Sequence, residues 1–191
     1  MTTCENEKQD YLPEIKAYNN KNIKQLLREL QDNLQIVQSD QIVCLMSEAD
    51  SAHIHDIYGK ELPVLATLTS SISDIRQVNK IEINIEPNIA QFIFYLRPSG
   101  WKPNRLCVNP YTLVMEPYRG IGIGSSLVDC GLELLIVALK KLHELFGFSS
   151  AEIGVSDRTT GSQKGWTKRH FNGRSGWNKY LGGYLTHIEK Y

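Results

Sequence analysis

Apolar residues recur along this chain with two different periods, and the switches between them outline its elements. In NKNIKQLLRELQDNL (residues 20–34), Ile23, Leu26, Leu27, Leu30 and Leu34 follow helical spacing with charges on the other face, which predicts a helix. EIKAYN (14–19), just before it, reads as a short strand. Residues 40–58 fit neither period well and read as helical in part. From 62 to 76, Leu62, Leu65, Leu68, Ile72 and Ile75 give a second helical stripe. It runs against the β-branched bias of TLTSSIS, and a helix is predicted. KIEINIE (80–86) alternates strictly, with Ile81, Ile83 and Ile85 against Glu82, Asn84 and Glu86, and is a half-buried strand. Pro87-Asn88 then turns the chain into AQFIFYLRP (90–98), a second strand and hairpin partner. Residues 99–110, with Gly100, Pro103 and Pro110, read as a loop. YTLVME (111–116) reads as a third strand, ended by Pro117, which cannot donate to a ladder.

The longest helical run is SSLVDCGLELLIVALKKLHELFG. Leu127, Leu134, Leu135, Ala138, Leu142 and Leu145 supply its buried face, and Gly147 is a natural stop. AEIGVS (151–156) is the next strand, and the runs flanking Gly182-Gly183 read as a closing hairpin. The predicted order is β-α-α-β-β-β-α-β-(α)-β-β. That is an α/β (α+β) class protein, with a mixed, mostly antiparallel sheet flanked by helices. No repeat or linker interrupts residues 1–191, which read as one domain, with 1–12 as a flexible N-terminal extension.

Charge narrows the picture only locally. Lys+Arg and Asp+Glu both number 21, so no global imbalance points to nucleic acid or to a membrane surface. The stretch from Arg158 to Lys179 holds only basic charges: Arg158, Lys164, Lys168, Arg169, Arg174 and Lys179. Trp166, Phe171, Trp177 and Tyr180 interleave with them. Packing, contact with an acceptor or coenzyme, and nucleic-acid binding are three readings of that segment, in descending order. The four cysteines are scattered without C-x-x-C spacing, which fits a reducing compartment and argues against a zinc site. The polar N-terminus is unlike a secretory signal, and LELLIVAL (132–139) is too short to span a bilayer. A cytoplasmic protein is expected, and a homodimer is compatible with the composition. Export by a route without such a signal would leave the same pattern.

The sharpest feature is MEPYRGIGIGSSLVD (115–129), where a strand becomes the longest helix through Gly120, Gly122 and Gly124. A helix start leaves backbone N–H groups without intrahelical partners at the positive end of the dipole. Glycines let that backbone approach an anion closely, and Arg119 adds a charge at the rim. A tight structural turn needing positive φ is the competing reading. A dinucleotide site would need G-x-G-x-x-G with an acid about twenty residues on, and a P-loop needs G-x-x-x-x-G-K-[ST]. Neither pattern is present.

R-G-I-G-I-G (119–124) resembles the [QR]-x-x-G-x-[GA] coenzyme A motif of the GNAT N-acetyltransferase superfamily. The apolar strand before it, the long helix after it and the predicted element order resemble that family as well. The resemblance implies transfer of an acetyl or other acyl group from acetyl-CoA (coenzyme A) to an amine acceptor, small molecule or protein, by direct transfer in a ternary complex. It implies that Arg119, Gly120, Ile121, Gly122, Ile123, Gly124 and Ser125 hold the pyrophosphate. Val114 and Met115 would pair with the pantetheine arm, in the splay between their strand and AEIGVS.

The chain departs from the family pattern where many members carry Y-x-x-x-G-F. The equivalent stretch is R-H-F-N-G-R-S-G-W, with Asn172 at the Tyr position. Tyr180 and His170 are the nearest replacements for the acid that protonates the leaving thiolate. Glu116 at the strand end is the candidate base, with Glu82 and Glu86 behind it. The displaced Tyr keeps a second reading open, a catalytically weak or inactive GNAT-fold domain that binds coenzyme A or a macromolecular partner. A third reading, an effector or toxin acylating a macromolecule, differs only in its acceptor.

Overall fold

The computed structural model describes residues 4–98, 100, 105–148, 150–155 and 176–180. Helix α1 (Cys4–Asp32) leads, followed by strands β1 (Gln35–Gln38), β2 (Val43–His55), β3 (Glu61–Ile72), β4 (Asn79–Glu86), β5 (Ala90–Pro98) and β6 (Arg105–Val114). A 3-10 turn, η1 (Glu116–Tyr118), leads into helix α2 (Ile123–Phe146), then β7 (Ser150–Val155) and β8 (Gly176–Tyr180). The eight strands form one sheet in chain order. β1 to β6 are an antiparallel meander, β6 and β7 are parallel across the α2 connection, and β8 is antiparallel to β7. The class is α+β.

Both helices lie side by side on one face, α1 over β2 and β3, α2 over β5 and β6. Ile23, Leu26, Leu27 and Leu30 of α1 join Leu127, Leu134, Leu135, Leu139 and Leu142 of α2 over Ile81, Ile83, Phe92 and Phe94 in one buried cluster. The opposite face carries polar pairs. Glu82 accepts from Gln91 Nε2 at 2.6 Å and Asn84 Nδ2 at 3.2 Å, and meets Lys80 Nζ at 2.5 Å. Among the described residues no helix is long and apolar enough to cross a membrane.

Several expectations hold element by element. β4 and β5 match the strands predicted at 80–86 and 90–98, α2 fits the long helix, and Gly147 caps it in the left-handed region at φ 67°. The two strands join at Asn88, at φ 50°, whose N–H goes to the Glu86 carboxylate. Four expectations are corrected. Residues 14–19 are helical, because α1 runs unbroken from Cys4, so residues 4–12 form its first turns. Residues 62–72 are strand: the buried set is Val64, Ala66, Leu68, Ser70 and Ile72, with period two. Residues 43–55 are strand, with a bulge between Ala49 and Ala52 that shifts the inward set by one residue. β6 begins at Arg105, inside the expected loop. The described order is therefore one helix, six antiparallel strands, then the β6-α2-β7 unit and β8. The second run of the expected closing hairpin lies outside the described residues.

Candidate functional site

Geometry at the end of β6 follows from three residue types. Pro117 ends the ladder and sits in η1, and Arg119 folds back so that its Nε donates to Val114 O at 2.8 Å. Ile121 and Ile123 bury completely. The glycines between the anchored residues take positive φ, 78° at Gly120 and 91° at Gly122, which lets the chain reverse before α2 starts. Gly122 is the N-cap of α2, with no side-chain capping bond and no acid in the first turn. The first N–H groups of α2 thus point out of a helix start that carries no competing negative charge.

The glycines are not equivalent. A Cβ on Gly120 would meet nothing within 4 Å. One on Gly122 would fall 2.5 Å from Asn20 Oδ1 and 2.9 Å from Lys16 Cγ, and one on Gly124 would fall 3.2 Å from Val114 Cγ2. Gly122 is bare because α1 packs there, whereas Gly120 is bare beside open space.

β6 and β7 part company below this turn. Their parallel pairing covers only Arg105↔Ser150 to Val108↔Ile153, after which β7 pairs with β8 alone among the described residues. Alternate residues of a strand present their N–H and C=O to the same neighbour. Met115 N–H goes to Ile89 O at 2.9 Å, next to β5, so Val114, Thr112 and Pro110 face the β7 side. Pro110 has no N–H to give there, and pairing stops at the residue before last, Val108. The edge from Pro110 to Val114 leads straight to the glycine turn. Beside it Thr112 Oγ1 is buried without a hydrogen-bond partner.

α1 braces the site through two adjacent asparagines. Asn19, fully buried, clamps the His55 backbone in both directions: its Nδ2 donates to His55 O at 2.9 Å, and its Oδ1 accepts from His55 N at 2.8 Å. Asn20 Oδ1 accepts from Ser126 Oγ at 2.5 Å in the first turns of α2. The turn after β2 joins the same corner, with Ile57 N–H donating to Pro117 O at 2.9 Å. The sequence reading passed over Asn19, Asn20, His55 and Thr112. For Asn19 a signal existed: it occupies a core-facing place in the stripe Ile15, Asn19, Ile23, Leu26, Leu30.

Val114, Met115, Glu116 and Arg119 to Ser125 are brought together here. Met115 N–H and Val114 C=O are already engaged, by Ile89 and Arg119, so the strand groups that face the opening are those of Thr112 and the N–H of Val114. Tyr180 is not brought to this corner. Its backbone registers with Glu152, which registers with Cys107, seven residues before Val114 and so roughly 23 Å away along the strand. His170 lies outside the described residues. Among the other candidates, Glu82 is on the face away from the helices, and its bond to Lys80 holds its carboxyl below the usual range. Cys130, in α2, is no nucleophile: burial pushes its thiol up to about 11.

The chain matches no family model, no curated protein and no solved structure. The functional argument therefore rests on the corner itself. Among the described residues three features suit the acyl-CoA group implied by the sequence resemblance: a first turn of α2 without acids, an uncrowded Gly120 at positive φ, and a buried Thr112 hydroxyl lacking a partner beside the stretch of β6 that β7 does not pair.

Proposed function

We infer that this protein is a coenzyme A-dependent N-acyltransferase of the GNAT type. The observation that carries the reading is the parting of β6 from β7 after Val108, which among the described residues leaves the strand edge below the glycine turn unpaired. In this reading the N–H groups at the start of α2, with Gly120, hold the pyrophosphate, since the backbone there can come close to an anion. Thr112 and the Val114 N–H serve the extended arm. The bound coenzyme supplies an activated thioester. Glu116 is exposed at the first residue of η1, one residue from the Pro117 contact to the β2–β3 turn, and receives a proton from the amine directly or through water. Holding both reactants in one corner provides the orientation on which direct transfer depends.

The second reading, a coenzyme-binding domain without turnover, is favoured by one observation. β8 carries Tyr180 away from the glycine turn, so the replacement acid stands at the wrong end of the strand pair.

Gly120 gives the discriminating test, because its substitution does not touch α1. Asn and Asp both tolerate positive φ and have nearly the same shape, so Gly120→Asn and Gly120→Asp differ essentially in charge. Acetyl-CoA at about 100 times its Kd is expected to stabilise the wild type by about 2.7 kcal/mol. That is a rise of roughly 5–10 °C in Tm for a chain of this size. Gly120→Asn retains most of that rise and Gly120→Asp loses it. Equal binding by the two variants rejects the pyrophosphate assignment, and no thermal shift with any acyl-CoA rejects the reading as a whole. Release of free thiol on an amine panel then separates transferase from binding domain.

A further inference from the structure

Beyond the reach of β1, the margin of β2 is closed by α1 and the residue that follows it. Asn33 Nδ2 donates to Glu48 O at 2.9 Å, Asn22 Nδ2 donates to His53 O at 2.7 Å, and Asn19 takes both backbone groups of His55. A bare strand edge invites pairing with another chain, so such margins are usually covered, charged or bent. β1 has none of these protections. It stands first in the sheet, and among the described residues only β2 pairs with it. Its residues, Gln35-Ile36-Val37-Gln38, include no charge and no proline, and their register carries no bulge.

The β1–β2 pairing fixes which groups face outward. Ser39 N–H donates to Ile42 O at 2.9 Å, so Ser39 and Ile42 are a hydrogen-bonded pair, and such pairs alternate along an antiparallel ladder. With Gln38↔Val43, Val37↔Cys44, Ile36↔Leu45 and Gln35↔Met46 in register, the next bonded pairs are those of Val37 and Gln35. Ile36 and Gln38 therefore turn their N–H and C=O toward the open margin. Leu45 is fully buried under the helices, so by alternation Val37, Cys44 and Met46 lie on the other face of the sheet. There Val37 is 53% exposed, and Met46 and Ile42 are exposed beside it.

We propose that β1 is the docking edge for a second copy of this chain, joined about a two-fold axis so that the two sheets continue as one. The edge is complementary to itself. With Val37 of one copy opposite Val37 of the second, Ile36 of each faces Gln38 of the other. The four hydrogen bonds that result satisfy every outward group of both strands. Centring the axis on Ile36 instead would set Gln38 against Leu34, whose N–H already donates to Gln31 O at 3.2 Å. The chosen register also puts the two Val37 side chains at a non-bonded site, where opposed side chains approach most closely. A row Cys44-Val37-Val37-Cys44 then crosses the axis. β1 has no charge with which to select an acidic or basic partner, and 21 bases against 21 acids leave two copies without long-range repulsion. The pairing rests on no reading of the glycine turn.

The test is the oligomeric state of the full chain. An interface built on one short strand per copy is small, so sedimentation velocity up to about 500 μM is expected to show a monomer–dimer equilibrium with Kd of about 1–100 μM. Exchange of the Ile36 and Gln38 amides is expected to slow by about threefold or more from the dilute to the concentrated end, while that of Val37, already bonded to β2, changes less. Gln38→Pro removes an outward N–H and leaves the β1–β2 bonds intact. Val37→Lys sets two ammonium groups opposite each other on the axis. Each is expected to weaken the dimer by about tenfold or more with the circular dichroism unchanged. A wild-type chain that stays monomeric to about 500 μM overturns the proposal, and the edge is then free or meets a different partner. A dimer that survives Val37→Lys, or that protects amides elsewhere but not those of Ile36 and Gln38, overturns it too, because the copies then meet through another surface.

Discussion

Gly131 shows how a single missing atom sets the distance between layers. A glycine in mid-helix costs about 1 kcal/mol relative to alanine, and α2 carries that cost nine residues into its length. The reason lies across the interface: a Cβ there would fall 2.3 Å from Phe92 Cε1 and 2.7 Å from Cδ1, and Phe92 is fully buried against Phe94 at 4.5 Å between centroids. The ring cannot retreat, because its neighbours are core residues at native density. Gly131→Ala is therefore expected to destabilise by about 1–3 kcal/mol in urea unfolding, overpacking outweighing the propensity gain. Adding Phe92→Leu should return part of the loss. A neutral or stabilised Gly131→Ala would show that α2 can shift away from β5, and the close approach would lose its meaning as a constraint.

At the scale of elements, the sequence is legible where one period dominates and illegible where a polar or small residue holds a core place. α2 and β4 are continuous apolar patterns and match the expected helix and strand. The expected strand at 14–19 is part of α1, which accommodates Pro13 and continues its inward stripe through Asn19, a polar residue fully buried through its two bonds to the His55 backbone. β3 shows a helical stripe in sequence because its inward set includes Ala66 and Ser70, which carry little hydrophobic signal. Ser70 is satisfied by donating to Lys80 O at 2.9 Å. The bulge in β2 hid its alternation in the same way. The glycine turn was legible as the point where a strand becomes a helix, but that one of its glycines serves helix packing was not, since α1 lies about a hundred residues away in sequence. The consequence is testable. Gly122→Ala suffers both the φ of 91° and the contact with Asn20, and is expected to cost about 2–4 kcal/mol. In an Asn20→Ala background the contact with Asn20 disappears, while the backbone strain and the 2.9 Å approach to the flexible Lys16 stem remain, so a double-mutant cycle should give a coupling of about 1 kcal/mol or more. Strict additivity would mean that α1 and α2 do not brace each other at this point.

For the molecule as a whole, 21 bases balance 21 acids, so self-repulsion is small near neutrality and grows as carboxylates are protonated. Three carboxylates, two on strands of the sheet and Asp74 in the β3–β4 turn, have their pKa lowered in the folded state. Glu61 is held by the Tyr18 hydroxyl, Asp74 by Arg76 and Glu82 by Lys80. A lowered folded pKa means that the stabilisation is present above the unfolded value, 4.5 for the glutamates and 3.8 for Asp74, and is lost as pH falls through the folded values. The Tyr18–Glu61 bond has a second limit. Tyr18 is raised above 10.0, chiefly by the same bond, so its contribution is present below that pH and disappears as pH rises through the folded value. One contact thus needs a protonated phenol and an ionised carboxylate, and it stabilises only between the two titrations. All three carboxylates lie near solvent, where such pairs are screened, so the effect should shrink with added salt. The expected Tm is nearly flat from about pH 7 to pH 5 and falls below about 4.5. The triple variant Glu61→Gln, Asp74→Asn, Glu82→Gln should start lower at neutral pH and fall less steeply in acid. Tyr18→Phe should remove the part of the alkaline loss that depends on the Glu61 bond. If the triple variant follows the wild-type curve at low salt, these contacts do not link protonation to folding, and acid sensitivity then comes from net charge alone.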